Sequence, residues 1–310
     1  MIKVLFSARP AAWDEYEAPL HRAFAAAGLD CDLSRDHAPE DTKYIVFAPN
    51  GPVKDFTPYV NTRLVMGLWA GVETVVGNTT LTQPLARMVD DGLTRGMIEY
   101  VVGHVMRHHL GMDAHLAGQD GVWRDTVYPP LAKDRPITVL GLGALGAACG
   151  QALVALGFPV TGWSRSQKQI DGLTCLSGDQ GLDHALSRAQ GVVLLLPQTP
   201  ATDSILNART LALLERWAFV INPGRGPLID DAALLAALDS GQVGAATLDV
   251  FSKEPLPVDD PYWSHPRVTV TPHIASTTRP DTAAQVIADN IRRCEAGQPF
   301  LHLVDRTAGY

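Results

Sequence analysis

Ile137-Thr138-Val139-Leu140-Gly141-Leu142-Gly143-Ala144-Leu145-Gly146 is the stretch that decides the fold. Four residues of strand character run directly into glycines spaced G-x-G-x-x-G, and an Ala- and Leu-rich run of helical length, 145–156, follows. Each glycine has a separate task in such a turn. Gly141 permits the tight bend, Gly143 lets the backbone approach a pyrophosphate, and Gly146 lets the helix lie close to the strand. The unbonded N–H groups of Leu142, Ala144 and Leu145 at the helix start would then face the phosphates. A strand, these glycines and a helix in that order predict a dinucleotide-binding βαβ unit.

The surrounding sequence extends this pattern in both directions. Downstream, Val160-Thr161-Gly162-Trp163 and Gly191-Val192-Val193-Leu194-Leu195-Leu196 read as strands, followed by strands at 218–222, 244–248 and 268–270. Helices are expected at 210–216 and 230–239, and a C-terminal one over 280–296. Upstream, Val4-Leu5-Phe6, Tyr44-Ile45-Val46-Phe47 and Leu64-Val65-Met66 predict a smaller α/β unit with a helix over 14–27. Strands this short and this apolar suit parallel sheets covered on both faces. A long helix is expected over 97–115, with Val101, Val105 and Met106 on one side, and residues 117–136, rich in Gly and Pro, should run extended and turn. The fold expected is α/β, with two Rossmann-like parallel-sheet domains and a cleft between them. Residues 1–97 and 281–310 would form a flavodoxin-like substrate-binding domain, and 98–280 the dinucleotide-binding Rossmann domain.

Composition narrows the function. A chain of 310 residues suffices for two domains, and 46% apolar with 19% charged residues fits buried cores rather than disorder. The net charge of -8, with no concentrated Lys/Arg field, argues against a nucleic-acid partner. No apolar run reaches membrane-spanning length, so no membrane association is expected, and residues 1–6 read as a first strand rather than a signal-peptide core. Cys31, Cys149, Cys175 and Cys294 form neither a CxxC pair nor a zinc spacing. A reducing, cytoplasmic setting without a bound metal is the simpler reading.

The end of the second strand chooses between dinucleotides. An NAD site usually places Asp or Glu there to accept from the ribose hydroxyls. Here Gly162-Trp163-Ser164-Arg165-Ser166-Gln167-Lys168 carries no acid before Asp171. Arg165, with Ser164, Ser166 and Lys168 beside it, removes repulsion toward a 2′-phosphate and supplies donors. NADP(H) is therefore expected as the preferred cofactor, with NAD(H) use left open.

Three strand-end segments hold the remaining polar residues of interest: Asn222-Pro223-Gly224-Arg225-Gly226, Leu248-Asp249-Val250-Phe251-Ser252-Lys253-Glu254-Pro255-Leu256 and Thr271-Pro272-His273-Ile274-Ala275-Ser276. Loops at the carboxyl edge of one parallel sheet should converge where cofactor and substrate meet. Reduction of a 2-oxo acid needs its carboxylate held, its carbonyl polarised and a proton delivered to its oxygen. Arg225 suits the first two tasks, because a guanidinium fork can bridge a carboxylate and the adjacent carbonyl. His273 suits the third, and Glu254 would orient the ring and support its positive charge.

Together these segments resemble the D-isomer-specific 2-hydroxyacid dehydrogenase family, most closely its short glyoxylate/hydroxypyruvate reductase branch. The resemblance begins around Leu68-Trp69-Ala70-Gly71-Val72-Glu73, runs through the glycine turn, Leu196-Pro197-Gln198-Thr199-Pro200 and the three strand-end segments, and reaches Leu303-Val304-Asp305-Arg306-Thr307-Ala308-Gly309-Tyr310. It implies reduction of a small 2-oxo acid, with Arg225, Glu254 and His273 as the catalytic set. It also implies Leu196 and Pro197 beside the cofactor and Asp249 on the nicotinamide carboxamide. Backbone amides near Ala70, Gly71 and Val72, next to Trp69, would grip the substrate together with Arg225 and His273. A homodimer built around the long helix and the turn-rich segment after it is implied as well.

Other signals carry less weight. His104 and His108 lie four apart, with His109 and His115 nearby, but without a suitably spaced acid they fit an interdomain or subunit interface better than a metal site. Trp123, Trp263 and His265 either line the cleft or pack across it. Taken singly, Arg225 and Glu254 also fit surface charges, and His273 a strand-end histidine bonded to backbone. Two rival functions share the pattern, an NAD-dependent D-2-hydroxyacid dehydrogenase of other substrate range and a non-catalytic dinucleotide-sensing interaction protein. The intact Arg, Glu and His set favours the reductase.

Overall fold

The computed structural model describes residues 1–125 and 128–309. Thr126 and Val127 of the turn-rich segment, and Tyr310 of the C-terminal ending, lie outside the described residues. The chain divides into two compact units, Met1–Leu93 with Thr277–Tyr310, and Thr94–Ser276.

The first unit begins β1 (Ile2–Ser7), α1 (Pro10–Ala26), β2 (Cys31–Ser34), β3 (Tyr44–Phe47), β4 (Leu64–Gly67) and β5 (Leu85–Ala86). Its sheet is parallel and ordered β2-β1-β3-β4-β5, the flavodoxin-like arrangement. Alternate residues serve opposite faces. Val4, Phe6, Tyr44, Val46, Leu64 and Met66 enter one core with α1 and the C-terminal helix Pro280–Glu295, while Leu5, Ile45, Phe47 and Val65 enter the other. Burial on both sides is why these strands read as unbroken apolar runs. A one-residue slip would exchange the two sets, so the register is firmly specified.

The second unit opens with α2 (Asp91–His109), which crosses the division, and α3 (Met112–Ala117). The single helix expected over 97–115 thus starts earlier and breaks earlier. Asp90 accepts the Leu93 amide at 3.1 Å and starts it, and Gly111, at φ 64, interrupts it. The chain continues through β6 (Ile137–Leu140), α4 (Ala144–Ala155), β7 (Val160–Trp163), β8 (Thr174–Leu176), α5 (Gly178–Leu186) and β9 (Gly191–Leu194). It ends with α6 (Ala208–Leu211), β10 (Ala218–Asn222), α7 (Asp231–Ser240), β11 (Val243–Leu248) and β12 (Val268–Val270).

This sheet is also parallel, ordered β12-β11-β10-β9-β6-β7-β8. That is the Rossmann order with one strand added, and strand order reverses between β6 and β9. The expected helix over 210–216 is the shorter α6. Asn207 and Thr210 form a capping box that starts it before 210, and it ends at Leu211. Both chain halves are therefore parallel-sheet α/β units, as the sequence predicts.

Candidate active site

The turn between β6 and α4 is built so tightly that its glycines are required. Gly141 has φ +105, and a Cβ there would lie 2.5 Å from the Leu195 carbonyl oxygen. A Cβ on Gly146 would lie 1.7 Å from the oxygen of Gly141, so only glycine lets α4 start this close to β6. Gly143 differs, since a Cβ there meets nothing within 4 Å. Its backbone presents an open face at the amino end of α4, and Leu142, Ala144 and Leu145 continue the turn. A dinucleotide's pyrophosphate fits such a cradle. Leu196 and Pro197 follow β9 across the switch point, where Leu195 donates to Leu140 O at 2.7 Å and fixes the two strand ends together. Thr202 donates to Pro197 O at 2.7 Å and shapes the loop beyond.

The 164–168 loop leaves β7 on the other side of the cradle. Ser164 is buried, and its hydroxyl donates to Ser166 O at 2.9 Å, so it shapes the loop. Arg165, Ser166 and Lys168 are exposed around it. Residues 164–168 of this loop include no Asp or Glu.

The three strand-end segments leave neighbouring strands at one level, because Asn222 pairs with Leu248 and Leu248 with Val270. The buried side chain of Asn222 closes the first loop, donating to Arg225 O at 2.9 Å and accepting the Gly224 amide at 3.1 Å. Asn222 sits in the strand-end motif, but only the folded loop reveals this task. A Cβ on Gly226 would lie 2.0 Å from the carbonyl carbon of Phe251, so the Arg225 loop runs flush against the loop carrying Glu254. Arg225 itself donates to Gly224 O at 2.6 Å.

Glu254 uses both carboxylate oxygens. Oε1 accepts the Phe251 amide at 2.9 Å, and Oε2 lies 2.7 Å from His273 Nδ1. The imidazole is 53% exposed and the carboxylate 36%, so the pair is open to a ligand rather than sealed in the core. Asp249, expected on the nicotinamide, is wholly buried and bonded to the turn that follows β12. Its Oδ1 accepts from Thr271 Oγ1 at 2.6 Å and from the Ile274 amide at 2.9 Å, and its Oδ2 from the Ala275 amide at 2.8 Å. Its own carbonyl accepts the His273 amide at 2.8 Å.

In the first unit, the segment after β4 places Trp69 at the surface and Val72 inside. Val72 O accepts the amides of Val75 and Val76, each at 2.9 Å. Among the described residues, the amides of Ala70, Gly71 and Val72 donate no backbone hydrogen bond, which leaves three consecutive N–H groups for another acceptor. A cavity of about 390 Å³ in the same unit is bordered by Phe47, Asn50, Lys54, Trp69 and Thr74.

His108 turns onto the sheet of its own unit, with Nε2 2.9 Å from Thr247 Oγ1 and its ring stacked on Phe219. Burial lowers its pKa to about 4, so it packs as a neutral ring. Among the described residues, no group of three or more His, Cys, Asp or Glu side chains is placed to hold a metal ion. Trp263 donates to Pro257 O, His265 faces Asp239, and Trp123 is exposed. Among the described residues, no helix is long and apolar enough to cross a membrane.

Comparison with known proteins bears on this arrangement. Residues 101–275 match the family model described as D-isomer specific 2-hydroxyacid dehydrogenase, NAD binding domain. Glyoxylate/hydroxypyruvate reductase A of Yersinia enterocolitica is 41% identical over 260 residues, covering 81% of this chain and 82% of the relative. A D-isomer specific 2-hydroxyacid dehydrogenase from Xanthobacter autotrophicus, solved with NADPH and MES, superposes with a TM-score of 0.92 at 39% identity, covering 100% of this chain and 99% of that one. An NADPH-dependent glyoxylate/hydroxypyruvate reductase from Sinorhizobium meliloti, solved with NADP and sulfate, gives 0.86 at 34% identity, covering 100% of both chains.

Proposed function

Because the chain belongs to the D-isomer-specific 2-hydroxyacid dehydrogenase family, we propose that it reduces a small 2-oxo acid, glyoxylate or hydroxypyruvate, to the 2-hydroxy acid with NADP(H) as its preferred dinucleotide. The observation that carries the reading is the 2.7 Å pairing of Glu254 with His273, at the same strand-end level as Arg225. The names of the relatives from Yersinia and Sinorhizobium support the substrate class, and the NADPH- and NADP-bound relatives support the dinucleotide.

The pyrophosphate is assigned to the Gly141–Gly146 turn and the 2′-phosphate to Arg165 with Ser164, Ser166 and Lys168. Leu196 and Pro197 back the cofactor turn. When bound, the reduced nicotinamide supplies the hydride. Arg225 holds the substrate carboxylate and polarises the carbonyl. His273, oriented through Nδ1 by Glu254, keeps Nε2 for the substrate oxygen and delivers its proton there as negative charge develops. In the first unit, the Ala70, Gly71 and Val72 amides, with Trp69 beside them, are assigned as substrate contacts.

We assign a homodimer as the working form. Leu116, Val122, Trp123, Tyr128 and Leu131, all exposed along the segment after α2, support an interface there. The four free cysteines fit a reducing, cytoplasmic setting.

The test is to mix the purified protein with NADPH and each acid and follow the loss of reduced-nicotinamide absorbance. Turnover of glyoxylate and hydroxypyruvate, faster with NADPH than NADH, is expected. Arg225→Ala should lose most turnover while still binding NADPH. Dinucleotide binding without turnover of either acid would overturn the reading and favour a sensor.

A further inference from the structure

We propose that Tyr100 is a positioning residue for the His273 turn, acting from α2 through Thr271 and Asp249. Tyr100 Oη lies 2.7 Å from Thr271 Oγ1, and Thr271 Oγ1 donates to Asp249 Oδ1 at 2.6 Å. A threonine hydroxyl has one proton, and that proton is committed to the carboxylate. Tyr100 is therefore the donor in the first contact, and the relay has one direction, from phenol to hydroxyl to carboxylate.

The far end of the relay holds the turn. Asp249 takes the Ile274 amide on Oδ1 and the Ala275 amide on Oδ2, and its carbonyl takes the His273 amide. His273 has φ 56, in the left-handed region, where a residue other than glycine stays only if its surroundings over-determine it. These bonds supply that constraint. Without the Tyr100 donor, the Thr271 hydroxyl loses one of the two bonds that fix its oxygen, and its own bond to the Asp249 carboxylate weakens.

Two further observations support the assignment. Burial raises the pKa of the Tyr100 phenol, which keeps it a donor. Two helical turns along α2, His108 meets Thr247 Oγ1 at 2.9 Å, two residues before Asp249. The helix is thus tied at two places to the strand ends that present Asp249 and His273.

The test compares wild type, Tyr100→Phe, Thr271→Val and the double variant as full-length protein with NADPH. Phenylalanine keeps the ring and removes only the hydroxyl. Amide exchange at Ile274 and Ala275 should quicken by about three- to tenfold in Tyr100→Phe, the change that one net hydrogen bond corresponds to. The kcat should fall by a similar factor while KM for NADPH changes by less than about twofold, and the double variant should be no worse than Thr271→Val alone. Unchanged exchange at both amides, or additive losses in the double variant, would overturn the relay. The kinetic arm rests on the reductase reading and the exchange arm does not. An inactive wild type would overturn the reductase reading, and exchange would then decide the relay.

Discussion

Glu254 holds His273 by Nδ1 at 2.7 Å while its own Oε1 accepts the Phe251 amide at 2.9 Å. The carboxylate cannot swing without giving up a bond to its own loop, so the imidazole inherits a fixed direction. Nδ1 is committed to Glu254, and Nε2 is the nitrogen left for a substrate oxygen. Fixing a ring through one nitrogen so that the other can transfer a proton is how a histidine becomes a directed general acid.

Glu254→Gln should keep the Phe251 bond through its amide oxygen but remove the charge facing Nδ1. We expect kcat to fall by about tenfold or more, and His273→Ala to lower it by about 10²–10⁴-fold, the range for removal of a general acid. NADPH affinity should hold in both. Because the two residues act as a unit, the double variant should be no slower than His273→Ala. Steady-state kinetics on the three variants checks this, and multiplicative losses would count against a coupled pair.

Much of this site was legible in the sequence, for physical reasons that differ between its parts. The β6–Gly141–α4 unit and β10, the strand before Arg225, show as apolar runs because both sheet faces are covered, whereas β12, the half-buried edge strand before His273, shows only as Val268-Thr269-Val270. β2, β5 and β8 did not show. β2 and β8 lie at sheet edges and are largely half-exposed, and β5 has only two residues, so none carries an apolar signature. The arginine, glutamate and histidine were visible through their strand-end motifs. The bond from Tyr100 to Thr271 joins residues 171 apart with no shared pattern, and only the fold brings them together. Asp249 stood out as a motif residue, yet its bonding to the 271–275 turn depends on tertiary structure.

Arg165 tests the cofactor assignment. Its charge stands on the loop after β7, whose residues 164–168 include no Asp or Glu. Arg165→Ala should raise KM for NADPH by about tenfold or more, since a charge-assisted bond to phosphate contributes about 1.5–3 kcal/mol. KM for NADH should change little. Parallel titrations with both dinucleotides decide the matter, and equal shifts would remove the 2′-phosphate role.

Two glycines should respond in opposite ways to the same substitution. In Gly226→Ala the new methyl would lie 2.0 Å from the Phe251 carbonyl carbon, where backbone on both sides leaves no room. A stability loss of about 1–3 kcal/mol is expected, together with reduced turnover as the Arg225 and Glu254 loops are forced apart. In Gly143→Ala the methyl meets nothing within 4 Å, so the fold should keep its stability. The methyl would instead stand on the open backbone face assigned to the pyrophosphate, and NADPH binding should weaken. Denaturant unfolding and NADPH titration of both variants separate the effects. Normal NADPH affinity in Gly143→Ala would move the pyrophosphate elsewhere.

His108 gives the fold a dependence on pH that is separate from catalysis. Desolvation is the largest cause of its depressed pKa, about 4 against an ordinary 6.5; Arg107, His104 and Arg135 depress it further, and Asp113 opposes them. Between these two values the unfolded chain binds a proton that the folded chain does not, so stability is full above pH 6.5 and falls as pH drops toward 4. From pH 7.5 to pH 5 this single ring should remove about 2 kcal/mol. His108→Gln cannot take up that proton and can still bond Thr247. His104, His109 and His302 also have lowered pKa values and add their own acid sensitivity, so the informative quantity is the difference between wild type and His108→Gln. Urea unfolding at the two pH values should show wild type losing about 2 kcal/mol more than the variant. Parallel losses in the two proteins would show that His108 is not buried as a neutral ring.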